Sequence, residues 1–234
     1  MQKLNICIGR FQPLTQGHLN MINEGEAPCI VYRINSNKPI EQTKTGIKIS
    51  SKKYTKDTIN RVIDYIDNPI GELTEQEKEL LKRPFNNDLI EEELNIIKKY
   101  NPNILDIVLV TNVFDALDRF NSFCIEHKNE YEPQYLMCGD DRVDQYSKLI
   151  NQYDELETEL KSGITVINIL KNKLKCNTGN GRIKGVSGTE VRKSILNNNK
   201  ELFCQIMPKN IDLMFDDFKL AFNNFREQLT SFIN

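Results

Sequence analysis

The chain has 234 residues, with 31 Lys and Arg against 33 Asp and Glu for a formal net charge of −2, 39% hydrophobic and 27% charged residues, two histidines and six cysteines. These are the proportions of a globular chain long enough to bury a full core, and the balanced charge excludes the global basic field of a non-specific nucleic-acid binder, so no nucleic-acid partner is expected. Two histidines exclude a His-rich zinc site, the cysteines form no Cys-x-x-Cys pair and are read as reduced thiols, and neither a membrane span nor the apolar core of a signal peptide is present, which points to a cytoplasmic protein with no membrane partner.

In chain order, short apolar runs at Leu4 to Ile8, Cys29 to Ile34, Ile107 to Val110, Tyr135 to Cys138 and Ile164 to Leu170 read as strands buried on both faces of a parallel sheet. Between them, helical spacing covers His18 to Asn23, Leu89 to Tyr100, Phe114 to His127, Arg142 to Asn151 and Thr189 to Asn197. Strand and helix in alternation predict an α/β fold, a Rossmann-like parallel sheet with flanking helices. Ser36 to about Lys82 is polar and lysine-rich, too long for an ordinary connection, and reads as an insertion with helices near Thr58 to Ile66 and Thr74 to Leu81. A solvated decoration with no role in chemistry is its plainer and favoured reading, with a lid or an oligomer contact the functional alternative. Lys200 to Asn234 reads as a helical C-terminal tail, with Leu213, Phe215, Phe218, Leu220, Phe222, Phe225 and Leu229 on its apolar positions. The expected organisation is one α/β domain over 1–198, interrupted at about 36–82, with the 199–234 tail packed on it.

The first strand runs into Gly9-Arg10-Phe11-Gln12-Pro13-Leu14-Thr15-Gln16-Gly17-His18, and a helix follows. A strand that hands its chain to a helix N-terminus through a turn with glycines at 9 and 17 lets the backbone lie against a phosphate, and His18 in the first turn can aim an imidazole N–H at it. Farther on, Val186-Ser187-Gly188-Thr189-Glu190-Val191-Arg192 offers a helix start in which Ser187 or Thr189 caps free N–H groups and Arg192 returns to the same end one turn later. The spacing of Ser187 and Glu190 also fits a capping box, so a simply well-capped helix is the plainer alternative. Gly139 and Asp140 follow the Tyr135 to Cys138 strand, where a parallel sheet presents its ligands, although Asp140 equally suits an N-cap of the next helix.

These residues resemble the nucleotidylyltransferase superfamily. Gly9, Phe11, Pro13, Thr15, Gly17 and His18 follow its G-x-F-x-P-x-H/T-x-G-H signature, with Thr15 where many members carry a histidine, and Ser187 to Arg192 is similar to its I-S-S-T-x-x-R signature, with Gly188 for the second serine. The resemblance covers Lys3 to about Ile34 and Pro84 to Leu196. It implies transfer of a nucleoside monophosphate from ATP or CTP to a small phosphorylated metabolite, with pyrophosphate released. In that reading His18 serves the α-phosphate, and Arg192 with the Ser187/Thr189 helix start serves the β- and γ-phosphates. Thr15 and Arg10 are further phosphate contacts, and Gly139 and Asp140 lie against the nucleoside. Magnesium is expected with the triphosphate, whose charge one histidine and two arginines cannot neutralise.

The Gly-Arg-Phe opening is closer to nicotinamide mononucleotide adenylyltransferases, whereas Thr15 is shared with phosphopantetheine adenylyltransferases, and a cytidylyltransferase is a third candidate. A nucleotide-binding or structural protein without turnover is the alternative from another class. A homo-oligomer is compatible with the insertion. His127, the other histidine, has no partner cue and is read as structural.

Overall fold

Residues 2–9 alternate nothing: Leu4, Asn5, Ile6, Cys7 and Ile8 are all buried, and the run forms β1 (Gln2–Gly9), a central strand. In the computed structural model, which describes residues 1–35, 40–49, 51–82, 84–155, 167–179 and 185–233, β1 is flanked by two parallel neighbours. They are β2 (Cys29–Ile34) and β7 (Tyr131–Met137). With β6 (Ile104–Val110) beyond β2 and β8 (Lys175–Asn177) beyond β7, the sheet has the order β6-β2-β1-β7-β8, parallel throughout. This is the Rossmann-like sheet that the alternating pattern predicts.

The described residues fall into two units, Met1–Arg10 with Gly17–Asn35 and Lys98–Lys184, and Phe11–Gln16 with Ser36–Ile97 and Gly185–Asn234. In the first, α5 (Val113–Glu126) and α6 (Val143–Glu155) bury Ala116, Leu117, Phe120, Cys124, Ile150 and Tyr153 with Leu4, Ile6, Ile8 and Tyr32 of the sheet. α1 (Gln16–Glu24) follows β1 and buries Leu19, Met21 and Ile22. His127 caps the end of α5 and stacks on Phe123 at 4.4 Å, in keeping with a structural role.

The fifth strand differs from expectation. Ile164 to Val166 lie outside the described residues, and Ile167 to Leu170 form no strand. The Asn121 amide donates to the Ile167 carbonyl at 3.0 Å and accepts from the Ile169 N–H at 2.9 Å, so a side chain satisfies backbone groups that a ladder would otherwise take. Of the described residues of the run, Leu170 is buried in the core, Ile169 packs against it and Ile167 is exposed. The edge strand is instead the polar Lys175–Asn177.

In the second unit the insertion holds a small antiparallel sheet, β3 (Ile40–Thr43), β4 (Gly46–Ile49) and β5 (Lys52–Thr55). Its lysine-rich strands form no apolar run, because the only side chains they bury are those of Ile47 and its cross-strand partner Tyr54. Gly46, at φ 155°, turns β3 into β4 where a side chain would run into the Tyr54 carbonyl. The helices foreseen in the insertion are α2 (Lys56–Asp67), capped by Thr55, and α3 (Glu75–Leu80), started by a Thr74/Glu77 capping box.

α4 (Asn87–Tyr100) begins in this unit, which also holds α7 (Gly188–Leu196) and the tail helices α8 (Lys200–Ile206) and α9 (Phe215–Ser231). α9 buries Phe215, Phe218, Phe222, Phe225 and Leu229, while Leu213 and Leu220 are exposed. Phe218 stands edge-on to Phe85 at 4.9 Å, and Arg226 forks onto Asp67 of α2 at 2.6 and 2.7 Å.

Candidate functional site

In the first unit the strand order turns at β1, with β2 on one side and β7 on the other. An open parallel sheet binds its ligands beyond the carboxyl ends of the strands at such a point. Cys7 pairs with Met137 in parallel register, so Gly9 and Arg10 leave β1 beside Cys138, Gly139 and Asp140. The end of β1 is held by Tyr146 of α6, whose hydroxyl donates to the Ile8 carbonyl at 2.8 Å. Burial pushes the Tyr146 pKa up, which keeps the hydroxyl a donor.

Gly139 is the N-cap of a 3-10 turn over Asp140–Arg142 and makes no side-chain cap bond. Asp140 is therefore not the cap that its position allowed, and its side chain is exposed at the switch point. α1 opens with Gln16, Gly17 and His18, all half-buried, and the first N–H groups of a helix have no partner within it.

The stretch between these two ends, Phe11 to Thr15, belongs to the second unit and is almost wholly buried, with Leu14 at 0% and Thr15 at 1% exposure. Phe11 has φ 45°, the left-handed region that a bulky residue enters at a cost of about 1 to 2 kcal/mol, offset by burial of its ring. Three side chains hold the stretch in place. The Gln12 amide donates to the Phe85 carbonyl at 3.1 Å, the Leu14 N–H donates to Glu93 Oε1 at 3.0 Å, and Arg192 Nη1 donates to the Gln12 carbonyl at 2.8 Å.

α7 supplies that arginine. Ser187 is its N-cap, accepting from the Glu190 N–H at 3.2 Å, and Arg192 returns to this end, where Nη2 reaches Thr189 Oγ1 at 3.1 Å. The guanidinium is half-buried, and burial brings its pKa down to about 10, so it stays charged at neutral pH. Gly188 has a packing reason: a Cβ there would lie 3.0 Å from the Gln12 carbonyl and 3.3 Å from Arg192 Nη1. The residue that departs from the resembled signature thus packs closely against both the carbonyl and the arginine.

Of the residues singled out from the sequence, Gly9, Arg10, Gly17, His18, Gly139 and Asp140 lie in the first unit, and Phe11, Thr15, Ser187, Gly188, Thr189 and Arg192 in the second. Within the second, Arg192 and Thr189 are joined to the buried stretch, and Thr15 is enclosed rather than exposed. Sequence reasoning missed Gln12, Glu93 and Tyr146. Glu93 had a signal: it is a carboxylate on the apolar face of α4, among Ile90, Leu94 and Ile97, and such a residue is buried only with partners. Tyr146 had none, since its partner is a backbone carbonyl 138 residues away.

No family model and no curated protein matches the chain. Among solved structures it is similar to a bifunctional NMN adenylyltransferase/ADP ribose pyrophosphatase from Francisella tularensis complexed with AMP and a manganese ion, at a TM-score of 0.51 and 12% identity, over 99% of this chain and 54% of that one. The chain thus spans about half the length of that protein. A Plasmodium falciparum nicotinic acid mononucleotide adenylyltransferase complexed with NaAD aligns at a TM-score of 0.47 and 13% identity, over 94% of this chain and 98% of that one. The structural neighbours are nucleotidylyltransferases, as the two signatures imply, and at such low identity what the chain shares with them is the fold.

Proposed function

We propose that the protein is an adenylyltransferase that moves AMP from ATP to a small phosphorylated acceptor, with nicotinamide mononucleotide the first to test, and releases pyrophosphate. The observation that carries this reading is the Gly9 to His18 signature at the carboxyl end of β1, the switch point of a sheet with the nucleotidylyltransferase fold. Transfer of this kind needs no covalent intermediate: an acceptor phosphate oxygen attacks the α-phosphorus in line, and aligned donors lower the barrier. His18 donates to the α-phosphate, and the Arg192 guanidinium with the α7 helix start holds the β- and γ-phosphates. The exposed Arg10 and Thr189 are further donors, and Gly139 and Asp140 adjoin the nucleoside.

Among the described residues no group of three or more His, Cys, Asp and Glu side chains is arranged to hold a metal ion. The divalent cation belongs in this reading to the triphosphate oxygens, where it supplies charge neutralisation. The Francisella protein's manganese and AMP are consistent with that.

The test is pyrophosphate release with magnesium, ATP or CTP, and a panel of nicotinamide mononucleotide, nicotinic acid mononucleotide, phosphopantetheine and phosphorylated alcohols. Release with ATP and one acceptor is expected. Release with CTP alone makes the protein a cytidylyltransferase, and nucleotide binding without release across the panel refutes the enzymatic reading.

A further inference from the structure

The second unit contains a cavity of about 480 Å³, within the roughly 300 to 1,000 Å³ of small-molecule sites. One side is α7, with Thr189, Arg192, Lys193 and Leu196; the other is the insertion, with Tyr65, the Gly71 to Leu73 connection, Glu75, Lys78, Leu81 and Lys82. Four cations face it against two carboxylates, Glu72 and Glu75. The lysines each reach a neighbouring carboxylate on their own or an adjoining turn: Lys78 to Glu75 at 2.8 Å, Lys82 to Glu79 at 2.7 Å and Lys193 to Glu190 at 3.2 Å. These are surface pairs with lysine side chains about half exposed, worth little and readily exchanged for another anion. Arg192 differs. Its two bonds go to a carbonyl and a hydroxyl, and among the described residues no carboxylate pairs with it.

An uncompensated arginine with exchangeable lysines beside it, against a wall of Leu73, Leu81 and Leu196 that lowers the local dielectric, favours a multiply charged anion over a cation or a neutral ligand. A single phosphate needs one such cation; a chain of phosphates uses several. We propose that the insertion is part of the binding machinery, and that its Lys78 and Lys82 hold a polyphosphate anion in the cavity that it forms with α7. Naming that anion as the triphosphate of the nucleotide substrate rests on the adenylyltransferase reading; the anion site itself does not. The insertion is then neither a solvated decoration nor only a lid, since it carries ligand-specific charge.

The test is calorimetric titration of the full chain with inorganic tripolyphosphate at low salt, for the wild type, the Lys78→Gln/Lys82→Gln double variant and a Lys128→Gln control from the first unit. Binding by the wild type that weakens with salt, unchanged by Lys128→Gln and at least about tenfold weaker in the double variant, is expected. Both lysines are more than half exposed, so an unchanged melting temperature confirms that the double variant is folded. No tripolyphosphate binding by the wild type, or equal affinity in the double variant, overturns the inference. Lysine-dependent tripolyphosphate binding without pyrophosphate release from any acceptor removes the enzymatic reading and leaves the anion site. Pyrophosphate release with an unaltered KM for ATP in the double variant overturns the identification of that anion with the substrate triphosphate.

Discussion

Replacing Arg192 with methionine separates a binding residue from a structural tie. In the folded protein burial lowers the guanidinium pKa from its ordinary value to about 10. At about 1.4 kcal/mol per unit, holding that charge costs at most about 3 kcal/mol. The folded state binds the proton less tightly than the unfolded chain, so this cost is present in full below about pH 10 and is relieved as pH rises past it. Against it stand the hydrogen bonds to the Gln12 carbonyl and Thr189 Oγ1, at about 1.5 kcal/mol or somewhat more each for a charged donor. The two contributions nearly cancel, so Arg192→Met, which keeps most of the side-chain volume, should change unfolding free energy by no more than about 1 kcal/mol. Affinity for ATP or tripolyphosphate should fall far more. Loss of a guanidinium–phosphate pair costs about 2 to 3 kcal/mol, a factor of roughly 30 to 160. Arg192→Lys should lie between, because an ammonium keeps the charge and cannot fork between two acceptors while facing a phosphate. Urea denaturation and calorimetric titration at pH 7.5 read the two quantities. A loss of about 3 kcal/mol in stability with unchanged ligand affinity would show that Arg192 only ties α7 to the Phe11 to Thr15 stretch, and would refute the reasoning.

Other consequences are equally direct. His18→Ala should reduce the rate of pyrophosphate release by about 10² to 10³ while leaving most of the ATP affinity, as expected for a donor that acts on developing charge; near wild-type turnover removes His18 from the reaction. Phe218, fully buried between Phe85 and Phe203, should cost about 3 to 5 kcal/mol on replacement by alanine in chemical denaturation, and a loss under about 1 kcal/mol would mean that the tail is not part of that unit's core. Cys176 of β8 is hydrogen-bonded by the Cys138 thiol and by the Ser147 hydroxyl at 3.5 Å, which hold its pKa below the ordinary thiol range, while Cys138 is raised by the same bond and by burial. Its alkylation by iodoacetamide, followed by mass spectrometry, should therefore persist as pH falls from 8.5 to 7, where an ordinary thiol slows about tenfold or more, and Ser147→Ala should restore the steeper dependence. Equal pH dependence in the two proteins counts against the bond from Ser147.

The core strands and the helix starts were legible because their signals are local. A run such as Leu4 to Ile8 reports burial on both faces whatever surrounds it, and Ser187 with Glu190 reports a helix start from four residues. The small sheet at 40–55 was not legible, because the only side chains its strands bury are Ile47 and Tyr54 and the others are exposed or half-buried. The run ending at Leu170 misled for another reason: among its described residues Leu170 alone is buried in the core, Ile167 is exposed, and Asn121 satisfies the backbone.

The sequence by itself determined the parallel α/β fold, the two signatures and the place of His18 in the turn that follows the first strand. Only the tertiary structure decided what those residues rest on. The acceptor for Arg192 is a carbonyl 180 residues away, the partner of the Leu14 N–H is a buried glutamate on α4, and the lysines that share a cavity with Arg192 come from an insertion that the signatures do not cover. Spacing along the chain encodes helix faces, strand faces and caps, which repeat over a few residues. A hydrogen bond or a shared cavity between distant segments has no such period, and it becomes visible only when packing has set the distance.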